Sequence, residues 1–290
     1  MIPIMDQVIF DTINNSEEKI EEKLDCDILH YYGELRYNYF SYFRSSIEEI
    51  SSRHERRETL GICLMTPGGQ AEAVEKMVEV IRHHYDNVYF IVPRLAMSAG
   101  TIFCMSGNKI FMDYSSSLGP IDPQVPDKEN KMLIPALGYL DKVNELVEKS
   151  RNNQITPAEF ALLEKQDLAM LRFYEQSRDL SISLLKQWLV EYKFKNWETH
   201  RTTNPGTPVT HQDKINRARE IAELLSDNQT WHSHGRMIGM QTLQNIVKLE
   251  IDDYGSDQEL QQHIRTYSDT LCDYFYRQGT IINIYNRHVN

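Results

Sequence analysis

Between residues 59 and 122 the hydrophobic period changes repeatedly, and this limits the fold more than any other feature. Leu60-Gly61-Ile62-Cys63-Leu64-Met65 is a short apolar run halted by Thr66-Pro67-Gly68-Gly69. Ala71 to His84 then carries apolar residues at Ala71, Val74, Met77, Val78 and Ile81, the spacing of one helix face. A second buried-strand run, Asn87 to Val92, stops at Pro93, small residues around Ser98 open another helix, and Lys109-Ile110-Phe111-Met112 is a third strand. Strands alternating with helices require right-handed crossovers, so the expected fold class is α/β with a mainly parallel sheet.

The flanks have a different texture. Residues 1–57 read as a helical N-terminal arm: Ser16 followed by Glu17, Glu18, Glu21 and Glu22 has the form of an acid-loaded helix start. Tyr31 to Tyr42 is rich in tyrosine, which suits packing against the main body or a neighbouring subunit. Residues from 123 to about 193 read as helical, with a capping box at Thr156-Pro157-Ala158-Glu159. Asn196 to Pro208 reads as a loop, and Asp213 to Leu225 as a helix.

Composition closes off several classes of function. At 290 residues, 41% hydrophobic and 25% charged, the chain can bury a substantial core. A net charge of -11 without clustered basic residues would repel a phosphate backbone, so nucleic acid is not an expected partner. No apolar run reaches the roughly 18 residues of a transmembrane helix, and the first residues are acidic where a signal peptide is basic, so the expected location is cytoplasmic. Cys26, Cys63, Cys104 and Cys272 are scattered without CxxC pairs, the pattern of buried free thiols and not of a disulfide framework or zinc site.

Two loops carry the chemistry. Gly68 and Gly69, directly after a buried strand, are free to adopt positive φ and to present backbone N–H groups to a ligand oxygen. About thirty residues later, Ala96-Met97-Ser98-Ala99-Gly100-Thr101 sets a serine at a helix start among small neighbours, where the following amide favours an anion. Neither loop is specific alone; their order and matching strand-to-loop contexts make the pair so.

Leu64-Met65-Thr66-Pro67-Gly68-Gly69, Ala96-Met97-Ser98-Ala99-Gly100 and Ser116-Ser117-Leu118-Gly119-Pro120-Ile121-Asp122-Pro123-Gln124 together resemble the Clp-fold serine peptidases. Within them the chain is most similar to the serine dehydrogenase proteinase (SDH) family, related to signal peptide peptidase A and the Clp protease proteolytic subunit. The resemblance implies a Clp/crotonase-like ββα superhelix, with a peptidase domain over residues 58–255 and a helical insert around 135–193; residues 256–290, which carry no family motif, are expected to form a C-terminal helical extension. It implies a serine endopeptidase with Ser98 as nucleophile and the amides of Gly69 or Gly68, and of Ala99, as oxyanion hole. A peptide or protein substrate, no cofactor and a homo-oligomeric assembly are implied as well. The chain shows no pyridoxal-lysine context that would support a dehydrogenase activity.

The general base is left open. The Clp proteolytic subunit has a histidine soon after its serine, but here none occurs between Ser98 and His200. Signal peptide peptidase A and its relatives use a lysine, which burial must bring toward neutrality. Lys142 is the first choice, although helical phase sets it off the Leu137, Leu140, Val143 and Val147 stripe; Lys131 is the second and Lys149 the weakest. The alternative is His234 in Trp231-His232-Ser233-His234-Gly235-Arg236, with Asp122 either orienting a base or capping a turn. The same imidazoles form no recognisable metal site without a third ligand at suitable spacing. Two further readings keep the fold: a crotonase-like acyl-CoA enzyme, and a catalytically weak scaffold or regulatory subunit.

Overall fold

The computed structural model describes residues 3–126, 133–201 and 205–289. From the N-terminus, α1 (Ile4–Leu24) leads into β1 (Asp27–Tyr32) and α2 (Phe40–Ser52). The expected alternation follows as β2 (Thr59–Met65), α3 (Ala71–His84), β3 (Asn87–Ile91), the short β4 (Leu95–Ala96), α4 (Ala99–Met105), β5 (Lys109–Met112) and β6 (Ser117–Leu118). A hairpin of β7 (Gln124–Pro126) and β8 (Leu133–Pro135) precedes α5 (Ala136–Arg151), α6 (Pro157–Glu164) and α7 (Leu168–Trp188). The remainder is α8 (His211–Ser226), the single turn α9 (Asn228–Trp231), β9 (Ile238–Gly239), α10 (Met240–Thr242), β10 (Asp252–Asp253), α11 (Gln258–Arg277) and β11 (Asn283–Tyr285).

The main sheet has six strands in the order β10-β5-β3-β2-β1-β11, parallel except for β11. Its central strands read as unbroken apolar runs because both faces are covered. Ile62, Leu64, Phe90, Ile110 and Met112 enter one core with Phe43, Val74 and Phe103 of α2, α3 and α4. The alternate residues Cys63, Ile91 and Phe111 enter a second core with Ile13, Ile20, Ile264 and Leu271 of α1 and α11. The Thr156 capping box forms as expected, with Glu159 N donating to Thr156 Oγ1 at 3.2 Å and Thr156 N donating to Glu159 Oε2 at 2.9 Å. Cys26, Cys63, Cys104 and Cys272 are free thiols, the first three buried.

The terminal stretches differ from their expected all-helical character. Residues 1–57 contribute β1 to the interior of the sheet, and residues 256–290 contribute β11 beside it. Polar residues conceal β1 in the sequence. Asp27 is buried because its Oδ2 accepts from Arg57 N (3.0 Å) and Tyr85 Oη (3.2 Å), and His30 because its ring bonds Asn283 at 3.0 Å. The acidic residues of α1 are likewise interior. Glu17 accepts from Tyr267 Oη (2.8 Å), Arg287 N (2.9 Å) and Asn286 Nδ2 (3.2 Å), while Glu21 Oε2 pairs with Arg287 Nη2 at 2.7 Å. Burial lifts the Glu17 carboxyl to a pKa of about 8 and lowers the His30 imidazole to about 4. No helix among the described residues is long and apolar enough to cross a membrane.

Candidate active site

The loop after β2 and the turn before α4 meet in space. Thr66 N donates to Leu95 O and Met97 N donates to Thr66 O, each at 3.0 Å, lacing the two chains together. Gly68 has φ 112°, and a Cβ there would stand 2.9 Å from both Met97 O and Ser98 Cβ, so only glycine admits this approach. Gly69, at φ 154°, is pinned from the other side by Leu35, within the tyrosine-rich stretch that the sequence assigned to packing and not to the site. Leu35 N donates to Gly68 O at 2.9 Å and Gln70 N to Leu35 O at 2.8 Å.

These bonds decide which amides are free. The Gly68 N–H donates to Thr66 Oγ1 at 3.0 Å and is spent. The N–H groups of Gly69 and Ala99 have no partner among the described residues. Of the expected oxyanion donors, Gly68 therefore drops out and serves as the turn that brings Gly69 into place.

Ser98 caps α4 with φ 52° and ψ -118°, a conformation that non-glycine residues rarely hold. The surroundings enforce it: every residue of α4 is buried, and Thr101 N returns a bond to Ser98 O at 2.9 Å. Ser98 is partly exposed, its hydroxyl has no hydrogen-bond partner among the described residues, and it lines a cleft of about 450 Å³ together with Gly68, Gly69, Ala99, Pro123 and His234.

A second, three-stranded sheet, β4-β6-β9, explains why His234 is there. β4 and β6 run parallel, pairing Leu95 with Ser117 and Ala96 with Leu118, so the segments leading to Ser98 and Asp122 leave from the same end. β9 is antiparallel to β6, pairing Leu118 with Ile238. Extending that register equally beyond both residues sets Asp122 opposite His234. His234 Nδ1 lies 3.0 Å from Asp122 Oδ1, with the two side chains 15% and 2% exposed. A carboxylate only accepts, so the pairing favours the proton on Nδ1, and in the neutral imidazole of that tautomer Nε2 is the acceptor. Asp122 Oδ2 is buried with no bond among the described residues.

Residues 52–207 match the family described as ClpP-like SDH-type serine proteinase. The chain belongs to this family. The matched span holds both glycines, Ser98, Ala99 and Asp122 but ends before His234. Two uncharacterized proteins of Methanocaldococcus jannaschii, MJ0137 and MJ1495, are 36% and 33% identical over 66 residues. Each alignment covers 23% of this chain and 23% of the relative, so the match spans less than a quarter of their length. Among solved structures, a serine-to-alanine variant of the 1510-N membrane-bound stomatin-specific protease aligns with TM-score 0.32 and 22% identity over 43% of this chain and 62% of that one. A lysine-to-alanine variant of that protease with a substrate peptide aligns with TM-score 0.37 and 15% identity over 82% and 96%.

In this SDH-type chain no lysine among the described residues lines the cleft. Lys142 projects from α5 with its side chain 62% exposed and its Nζ 2.8 Å from Glu145 Oε2, and it is not among the cleft residues. Its phase is the reason: Leu140, Val143 and Leu146 take the buried side of α5. Lys149 pairs with Glu145 and Glu159 at 2.9 and 2.8 Å. Lys131 lies outside the described residues. His232 is exposed, at φ 63°, and does not join His234 on Asp122.

Proposed function

We propose that this chain is a serine peptidase that acts through a Ser98, His234 and Asp122 triad and not through a Ser/Lys dyad. The observation that carries the reading is the 3.0 Å pair of Asp122 with His234, whose imidazole lines the cleft that holds Ser98. Family membership supports the reaction class.

In this mechanism the Ser98 hydroxyl attacks the peptide carbonyl as His234 Nε2 takes its proton. The oxyanion that forms accepts from the Gly69 and Ala99 amides, which are already oriented and need no reorganisation. Asp122 holds the imidazole in the tautomer that accepts at Nε2 and stabilises the imidazolium. His234 then protonates the leaving amine, and water, deprotonated by the same imidazole, hydrolyses the Ser98 ester.

The test is hydrolysis of casein and a peptide mixture by the wild type and by Ser98→Ala and His234→Ala. Both variants are expected to lose activity by roughly 10²-fold or more. Full activity in Ser98→Ala would remove the assignment. Turnover of a coenzyme A thioester in place of peptides would favour the crotonase-like reading.

A further inference from the structure

His234 and Asp122 also form a wall of a second cleft, of about 520 Å³, whose other lining residues are Gly138, Tyr139, Asn228, Gln229, His232 and Ser233. The peptidase reading uses nothing on that side. We infer that this second cleft binds the segment of the substrate on the amine side of the scissile bond, through neutral hydrogen bonds.

The inference rests on the proposed roles of Ser98 and His234, and it follows from where each half of a peptide must go. The acyl carbon bonds to Ser98, so the acyl half stays in the cleft that contains Ser98, Gly69 and Ala99. The leaving nitrogen must reach the imidazole that protonates it, and the one residue lining both clefts is His234. A chain that continues past that nitrogen enters the cleft on the far side of the imidazole.

The lining there suits a peptide backbone. It holds no Lys, Arg or Glu, and its single carboxylate, Asp122, is engaged with His234. The side-chain amides of Asn228 and Gln229 have no hydrogen bond among the described residues, so each offers a donor and an acceptor to an incoming strand. Asn228 is half-buried, and its backbone carbonyl accepts from His232 N at 2.8 Å, which fixes the main chain at this wall of the cleft.

The reverse half-reaction isolates this subsite. An acyl-enzyme made from N-acetyl-leucine p-nitrophenyl ester is offered alanyl-alanine amide as acceptor. The amine nitrogen bonds to the acyl carbon while His234 takes its proton, the bond from carbon to Ser98 Oγ breaks, and the proton passes to Oγ. The ratio of aminolysis to hydrolysis product does not depend on how much of the enzyme is active. Its slope against acceptor concentration is expected to fall by roughly 3- to 10-fold in Asn228→Ala and in Gln229→Ala, because each loses a hydrogen bond to the bound acceptor. Arg277→Ala, on α11 and paired there with Asp273, should leave that slope unchanged. A slope unmoved by both cleft variants would overturn the subsite. Absence of ester turnover above the Ser98→Ala background would instead overturn the peptidase reading beneath it.

Discussion

Replacing Gly69 with alanine should damage activity and stability together, because a single contact governs both. A Cβ at Gly69 would lie 2.1 Å from Leu35 O, 2.7 Å from Leu35 C and 2.8 Å from Leu35 N. All of these are backbone atoms, so no side-chain rotation relieves the overlap. The loop must move away from Leu35, giving up the bonds from Leu35 N to Gly68 O and from Gln70 N to Leu35 O. Losing both costs about 1–3 kcal/mol, which lowers the urea midpoint by ~0.3–1 M for a slope near 3 kcal/mol/M. The same movement withdraws the Gly69 N–H from the oxyanion, lowering kcat by roughly 10²- to 10³-fold. The assay pairs urea unfolding with kcat on N-acetyl-leucine p-nitrophenyl ester. Gly206→Ala is the control, since Gly206 has φ 84° with nothing within 4 Å of its Cβ position, so it carries only the backbone cost of about 1 kcal/mol. A Gly69→Ala protein with kcat within about threefold of wild type would refute the role given to this loop.

Other substitutions probe the remaining supports. Asp122→Asn should lower kcat by roughly 10²- to 10⁴-fold with little change in KM, because the amide no longer fixes the productive tautomer of His234. Thr66→Val leaves the Gly68 N–H without its 3.0 Å acceptor and should cost about 1–3 kcal/mol by urea unfolding. The Glu17 carboxyl titrates at about 8 in the fold against 4.5 ordinarily, so the native state holds its proton more tightly; that contribution is complete below pH 4.5 and lost as pH rises toward 8. Glu17→Gln should remove this loss, seen in urea midpoints across that range as a slope shallower by up to about 1.4 kcal/mol per pH unit. His30 acts in the opposite sense: its pKa falls from 6.5 to about 4, so the stability gained from the neutral ring is present above pH 6.5 and lost as pH falls. A His30→Asn variant that keeps the acid-side slope would contradict this.

The parallel strands and the two loops that meet at Gly68, Gly69 and Ser98 were legible in the sequence because their causes are local. β2, β3 and β5 are apolar on both faces, and Gly68, Gly69 and Ser98 stand directly after strands. β1 escaped reading because its polar residues Asp27 and His30 find buried partners at Tyr85 and Asn283, which are distant in sequence. The pairing of Asp122 with His234 was hidden in the sequence for a related reason. β4, β6 and β9 have two residues each, too few to show a period, yet their pairing is what carries Asp122 and His234 together. Sequence separation from the serine favoured Lys142, whereas the helical phase had already set that side chain off the buried stripe of α5.

In the proposed mechanism an imidazole held by Asp122 activates Ser98. The most direct measurement is the rate of covalent labelling by a fluorophosphonate, with the modified residue located by mass spectrometry, in wild type, His234→Ala and Lys142→Ala. A single adduct on Ser98 is expected, formed at least roughly 10²-fold more slowly in His234→Ala and at the wild-type rate in Lys142→Ala. Undiminished labelling in His234→Ala together with its loss in Lys142→Ala would contradict it.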